Sequence, residues 1–183
     1  MEDFYEKALG DLRRVFAGLD RNAVEKAVAA IAEANKVALH GVGREGLQMK
    51  GFAMRLFHLG CRASVVGEMT TPPVGRDDLL IVSAGPGEFS TILALMDVAR
   101  SAGARTLVIT AQPNGGAARA ADLVLSVPAQ TMADDRGAAV SVLPMGSLYE
   151  GALFLLFEQM IVALRERLGV SAEAMRANHT NLE

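Results

Sequence analysis

Two short apolar runs that each lead directly into a glycine-rich turn constrain the fold of this chain more than any other feature. Residues 37–42 (VALHGV) continue into the turn 43–46 (GREG), and residues 79–84 (LLIVSA) continue into the turn 85–88 (GPGE). Helical periodicity follows each turn. Glycine at a strand-to-helix turn lets a ligand approach the backbone closely, and the helix N-terminus behind it favours an anion. Two such turns predict a ligand crevice at the carboxyl ends of parallel strands.

The rest of the chain alternates predicted strands with predicted helices. Two helices come first, at about residues 3–19 and 22–34, with Asn22 as the expected cap of the second. Strands are predicted at residues 37–42, 63–67, 79–83, 106–111 and 123–127, and further helices at about 45–59, 88–102, after 116, and at 145–168 before a helical tail. This alternation is typical of an α/β fold with a five-stranded parallel sheet flanked by helices. Because no linker interrupts residues 1–183, a single domain is expected, with leading helices at about 3–34 and a C-terminal helix and tail at about 145–183.

Composition excludes several classes of function. The net charge of −3 and the 5% content of aromatic residues argue against a nucleic-acid partner. The most apolar stretch, residues 152–164, contains Glu158 and Gln159 and is too short for a membrane span, so no membrane partner is expected. A single cysteine, Cys61, permits no internal disulfide, which fits a cytoplasmic location. Three histidines and one cysteine lie far apart, so no metal is predicted.

The predicted C-terminal helix is apolar around much of its circumference. Its large apolar residues are Leu153, Phe154, Leu155, Leu156, Phe157, Met160, Ile161, Val162 and Leu164. A helix without a polar face is buried on several sides, and one sheet covers only one of them. We therefore expect a homo-oligomer, a dimer or a tetramer.

The first glycine turn also fits a dinucleotide-binding fingerprint. Gly41, Gly43 and Gly46 have the Gly-x-Gly-x-x-Gly spacing after a strand, and Glu68 follows about twenty residues later. Two helices precede this strand, whereas that fold normally opens near the N-terminus, and the second glycine turn has no role in this interpretation. A dinucleotide-binding protein therefore stays an alternative, and no cofactor is predicted.

Several segments carry a resemblance to a known family. They are Gly43-Arg44, residues 52–60 (FAMRLFHLG), residues 65–72 (VVGEMTTP), residues 77–82 (DDLLIV), residues 144–150 (PMGSLYE) and residues 178–183 (NHTNLE). With them the chain resembles the sugar isomerase (SIS) domain family over nearly its whole length. The last two segments resemble one branch, the 6-phospho-3-hexuloisomerases. The resemblance implies an SIS-type, Rossmann-like three-layer sandwich.

The resemblance also implies a reaction. Members of that branch interconvert a 3-keto and a 2-keto hexose 6-phosphate (3-hexulose 6-phosphate and fructose 6-phosphate) through an enediol, without metal or cofactor, in formaldehyde assimilation. The resemblance implies that Glu150 is the carboxylate base. It implies that His179 is the histidine that opens the sugar ring or moves hydroxyl protons. From the residues alone, Glu150 is equally a first-turn acid that complements the helix dipole, and His179 a solvated tail residue.

The candidate substrate-binding residues lie at the two glycine turns and on the helices that follow them. They are Gly43, Arg44, Glu45, Arg55, Ser83, Gly85, Gly87, Glu88, Ser90 and Thr91. The expected partner is a small-molecule sugar phosphate.

The second glycine turn departs from the family pattern. There the family holds phosphate with Ser-x-Ser and a following Thr, and this chain has Ala84, Pro86 and Phe89 at those positions. Pro86 also lacks an amide donor. Glu45 replaces a serine and adds a negative charge beside the sugar site. These changes leave three alternatives. The protein holds the phosphate differently, for example with Arg44 or Arg55; its ligand is another polyol; or it is a non-catalytic sugar-phosphate sensor.

Overall fold

One parallel sheet organises the computed structural model, which describes residues 3–136 and 141–182. Its strands are β1 (Val37–Gly41), β2 (Ala63–Val65), β3 (Leu79–Ser83), β4 (Arg105–Thr110) and β5 (Leu123–Ser126). They lie in the order β2-β1-β3-β4-β5, and every pairing is parallel. The predicted α/β fold with a five-stranded parallel sheet is confirmed.

Helices follow the strands and cover the sheet. They are α1 (Phe4–Ala17), α2 (Arg21–Glu33), α3 (Gly43–His58), α4 (Ser90–Ser101), α5 (Gly116–Ala120), α6 (Ser147–Leu168) and α7 (Ala172–Ala177). The predicted cap of α2 was wrong: Asp20 is the N-cap, and its carboxylate accepts a hydrogen bond from the amide of Asn22 at 2.9 Å. Both residue types cap helices well, so the sequence alone did not separate them.

Each face of the sheet has its own apolar core, because side chains of a strand alternate between the two faces. Leu39 and Ile81 point into the larger core, shared with α1, α2, α3 and α6. Leu80 and Val82 point into the smaller core, which α4 and α5 cover. Burial of β3 on both faces explains why residues 79–82 form an uninterrupted apolar run before Ser83.

Helix α6 is the longest element and packs against α1, α2 and α3. The ring of Phe157 stacks on that of Phe52 in α3, with 4.3 Å between centroids. The expectation that this apolar stretch is too short for a membrane span was wrong: by length and composition alone α6 could cross a membrane, although one such helix is weak evidence and half of its apolar window is buried inside the protein.

The strand order places a crevice between the carboxyl ends of β1 and β3. Helix α3 leaves β1 toward one face of the sheet and α4 leaves β3 toward the other. Such a switch point is where open α/β sheets bind ligands. Packing also explains the third glycine of the fingerprint, because a Cβ on Gly46 would lie 2.5 Å from the carbonyl oxygen of Gly41.

Candidate active site

The first glycine turn aims two charged side chains at the crevice. Gly43 opens α3 with a φ of +59°, a left-handed conformation that suits glycine. Arg44 and Glu45 follow in the first turn of the helix. Arg44 is half exposed, whereas Glu45 is buried, with 8% of its surface accessible.

The Glu45 carboxylate reaches across to the second glycine turn. Its Oε2 atom accepts hydrogen bonds from the Ser83 hydroxyl at 2.5 Å and from the Gly85 amide at 3.0 Å. The Tyr149 hydroxyl of α6 lies 3.2 Å from the same Ser83 oxygen. Glycine is needed at position 85, because a Cβ there would lie 2.8 Å from the Tyr149 ring. Glu45, Ser83, Gly85 and Tyr149 thus form one buried polar network, named here the Glu45 network.

Burial shifts the acidities within this network. It raises the pKa of Glu45 above its ordinary value, although the bonds from Ser83 and Gly85 act in the opposite direction. It raises the pKa of Tyr149 well above its ordinary value, and the nearby Glu45 charge adds to this. Tyr149 is therefore a neutral phenol at physiological pH.

A tight turn before α6 completes the site. Met145 and Gly146 both have positive φ, at +54° and +81°, and α6 begins directly after them. Arg44 spans from α3 to this turn: its guanidinium donates to the Met145 carbonyl and, at 3.0 Å, to the Ser147 hydroxyl. Its Nε atom lies 3.2 Å from Oε1 of Glu150.

Glu150 lines the cleft in the first turn of α6. Its side chain is 15% exposed. Burial raises the pKa of Glu150, the positive charge of Arg44 opposes this rise, and the negative charge of Glu45 adds to it. A carboxylate with a raised pKa, beside a guanidinium and open to a cleft, suits proton transfer at neutral pH.

The cleft between these elements has a volume of about 420 Å³. This lies in the usual range for small-molecule sites. Its polar lining residues are Arg44, Glu45, Thr131, Tyr149 and Glu150, and its other side is formed by Val42, Gly43, Pro86, Phe89, Met132, Met145 and Gly146.

The structure brings together some of the predicted site residues at this cleft. Gly43, Arg44, Glu45 and Glu150 line it, and Ser83 and Gly85 lie directly behind Glu45. Of the three departures from the family pattern, Pro86 and Phe89 line the cleft. Ala84 is fully buried in the smaller core.

Other predicted residues lie beside the cleft or far from it. Gly87 is buried under the loop before α5; Glu88, Ser90 and Thr91 are exposed at the start of α4 and do not line the cleft.

Within one chain, Arg55 and His179 are not brought to the cleft. Arg55 binds Glu158 through two hydrogen bonds of 2.9 and 3.1 Å. The His179 ring stacks on that of His58 at 5.1 Å, and both histidines line a separate cavity with Arg55. This cavity lies near the C-terminal end of α3, whose 16 residues separate its ends by roughly 22 Å.

Sequence reasoning missed three contributions to the site. The first is Tyr149, which contacts Ser83 and Gly85. The second is the pair formed by Ser147 and the Met145 carbonyl, which bind Arg44. The third is Thr131, which lines the cleft. The first two lie within residues 144–150, a segment whose sequence was distinctive, but only its carboxylate had an evident chemical role. In the described ranges, no three His, Cys, Asp or Glu side chains are grouped to hold a metal ion.

Comparison with known proteins gives a consistent result. The family model described as "SIS domain" matches residues 30–155. A 3-hexulose-6-phosphate isomerase from Bacillus subtilis is 32% identical over 181 residues, covering 99% of this chain and 98% of the relative. One from Mycobacterium gastri is 35% identical, covering 91% and 83%. A crystal structure of a Methanococcus jannaschii protein, with an inferred function of 3-hexulose-6-phosphate isomerase, superposes with a TM-score of 0.85 at 27% identity and covers all of both chains.

Proposed function

We propose, since this chain belongs to the SIS domain family, that it is a phosphosugar isomerase interconverting 3-hexulose 6-phosphate and fructose 6-phosphate. The structural observation that carries the proposal is Glu150, a carboxylate of raised pKa that lines the switch-point cleft beside Arg44. The segment around it is one of the two that resemble this branch of the family.

The proposed reaction moves one proton between adjacent carbons. The Glu150 carboxylate takes the proton from C2 of the 3-keto sugar, which the neighbouring carbonyl makes acidic. The C2–H electron pair forms the double bond between C2 and C3, and the carbonyl oxygen at C3 becomes an enediolate oxygen. Transfer of the O2 proton to O3 and return of the proton from Glu150 to C3 then give the 2-keto sugar. Atoms and electrons balance without an added reagent, and that the enzyme works without a metal or a cofactor is part of the proposal.

We assign to Arg44 the role of stabilising the negative charge that develops on the sugar during the reaction. Its guanidinium is held by Met145 and Ser147, so it is oriented before the ligand binds. A positive charge that is already oriented stabilises an enediolate oxygen without the cost of ordering the side chain during the reaction. Its contact with Glu150 also keeps the base and the cation that stabilises the oxyanion within one small volume.

We assign ring opening or hydroxyl proton transfer to His179, supplied by a second copy of the chain. Within one copy it lies near His58, at the end of α3 away from the cleft. Exposed apolar side chains on α6, Phe154, Leu155 and Val162, support the homo-oligomer on which this assignment depends. A dimer or tetramer, a cytoplasmic location, a role in formaldehyde assimilation and one domain over residues 1–183 all belong to this proposal.

A non-catalytic sugar-binding protein is the second candidate. The observation that favours it is the Glu45 carboxylate, which occupies donors of the second glycine turn.

An activity assay separates the two candidates. Purified protein is incubated with 3-hexulose 6-phosphate, with and without a chelator, and formation of fructose 6-phosphate is followed. We expect turnover that the chelator leaves unchanged. Binding of fructose 6-phosphate without turnover would favour the non-catalytic role instead.

A further inference from the structure

The second glycine turn already holds an anion, and that anion belongs to the protein. The Ser83 hydroxyl and the Gly85 amide both donate to Oε2 of Glu45. Glycine turns at the ends of parallel strands offer such donors to anionic ligands. Here a carboxylate from the neighbouring turn accepts both hydrogen bonds. The turn is therefore built to bind negative charge, and its donors are occupied before any ligand arrives.

Three residues beside the occupied donors, Pro86, Tyr149 and Phe89, define the surroundings that a phosphate would meet. Pro86, the next residue, has no amide hydrogen to donate. The Tyr149 hydroxyl is within hydrogen-bond distance of Ser83, and the Phe89 side chain lines the same side of the cleft. An incoming phosphate would meet a buried carboxylate, a proline and a phenyl ring where it needs donors.

The charges that face the cleft lead to the same conclusion. Arg44 is its one cationic lining residue among those described, and it already contacts Glu150 and the Met145 carbonyl. Glu45 and Glu150 together carry two negative charges when ionised. A phosphate dianion placed at the turn would be repelled by both carboxylates at short range, in a site where water screens them poorly.

We propose that Glu45 determines the ligand specificity of this cleft: it keeps phosphate away from the second glycine turn and reserves the turn for the hydroxyl-bearing, uncharged part of a sugar. Both hydrogen bonds within the Glu45 network end on Oε2, which leaves Oε1 to accept from sugar hydroxyls. This inference rests on the proposed function, because it takes the ligand to be a ketose phosphate or its uncharged counterpart.

Two substitutions separate the charge of Glu45 from its bulk. Glu45→Gln keeps the size and removes the charge, whereas Glu45→Ser removes both and opens the turn. Glu25→Gln on the exposed face of α2 changes the net charge equally and is the control. Binding of inorganic phosphate, fructose 6-phosphate and free fructose is measured by calorimetry, and thermal melting identifies any variant that does not fold.

We expect the affinity for phosphate and fructose 6-phosphate to rise about tenfold to a hundredfold in Glu45→Ser, and by less in Glu45→Gln. A hydrogen bond to a charged group changes affinity by about this factor. Free fructose should bind no more tightly to either variant, and Glu25→Gln should match the unsubstituted protein. If phosphate affinity rises only in Glu45→Ser, the result still supports exclusion of phosphate by Glu45 and assigns that exclusion to the bulk of its side chain. If one of the two Glu45 variants does not fold, the phosphate affinity of the other variant tests the inference.

Unchanged affinity for both phosphate ligands in every folded variant would overturn the inference. Its failure is distinguishable from failure of the proposed function, because binding and turnover are separate measurements. Tight binding of fructose 6-phosphate with turnover in the unsubstituted protein, and no gain in the variants, would reject only the role of Glu45. Increased phosphate affinity without isomerisation in any form would reject only the isomerase.

Discussion

Glu150 is the residue whose surroundings bear most directly on the proposed chemistry. The N-terminal dipole of α6 lowers the pKa of a first-turn acid, but burial and the Glu45 charge raise that of Glu150 on balance. Because Glu150→Gln keeps the size and cannot accept a proton, we expect kcat to fall by about two to four orders of magnitude. Steady-state assays should show no loss for Glu166→Gln, an exposed position on the same helix. Near-normal activity of Glu150→Gln would contradict its assignment as the base.

Glu45 makes a prediction about stability and pH. Because burial raises its pKa in the folded protein, the folded state binds a proton more tightly than the unfolded chain does. Its contribution to stability is therefore fully present below the ordinary glutamate pKa and is lost as the pH rises through the raised value. The free energy of unfolding of the unsubstituted protein, minus that of Glu45→Gln, should increase as the pH falls from 7 toward 4.

Urea unfolding at a series of pH values measures this difference. A decrease on acidification would mean that the bonds from Ser83 and Gly85 outweigh burial, as for an ordinary hydrogen-bonded carboxylate. The isosteric comparison measures the titration of Glu45 together with its effect on Glu150, whose pKa the Glu45 charge raises.

At the residue scale, the sequence predicted which side chains reach the crevice better than what they contact there. Arg44 and Glu45 follow a recognisable turn, so their position was predictable. The hydrogen bond between Arg44 and Ser147 joins residues that are 103 positions apart in the sequence, and the spacing of the motifs does not predict it. Glu45 was expected beside the ligand. Its burial against Ser83 depends on the pairing of β1 with β3, which only the fold establishes.

At the scale of elements, α3 explains why this chain has the glycine spacing of the dinucleotide fingerprint. Gly46 is required because α3 passes directly over β1, with the Gly41 carbonyl 2.5 Å from the Cβ that an alanine would add. We expect Gly46→Ala to reduce the free energy of unfolding by about 1–3 kcal/mol through overpacking. Gly51→Ala on the same helix meets no atom within 4 Å and should instead stabilise by about 0.5–1 kcal/mol.

Chemical denaturation of the two alanine variants measures both effects against the same parent. Equal stabilisation at the two positions would show that the contact with β1 does not require glycine at position 46. Apolar runs and glycines predicted the elements to within a few residues, because strands buried on both faces leave a strong signal. Helix ends were less predictable, since Asp20 and Asn22 are both good caps and only Asp20 has the extended backbone of a cap residue.

At the scale of the whole molecule, the parallel sheet and its flanking helices followed from the sequence, but the spatial relation of the two proposed catalytic residues did not. Alternating strands and helices predict the sheet, and the sheet brings its two glycine turns together. His179 lies in a polar tail without periodicity, so its place beside His58 rests on packing of α7 near the end of α3.

The apolar surface of α6 leads to a prediction about assembly. Phe154, Leu155 and Val162 are each about half exposed on the outer side of this helix, at 57%, 44% and 50%. Large apolar side chains exposed on one helix are typical of an interface between copies of a chain. We expect sedimentation at micromolar concentration to give a dimer or tetramer, and Phe154→Asp to shift it toward smaller species. Val98→Asp, which replaces an exposed apolar residue on α4, should leave the assembly intact. If His179 acts in the cleft of a second copy, Phe154→Asp should lose activity in proportion to its dissociation, and a fully active monomer would contradict both the assembly and the shared site.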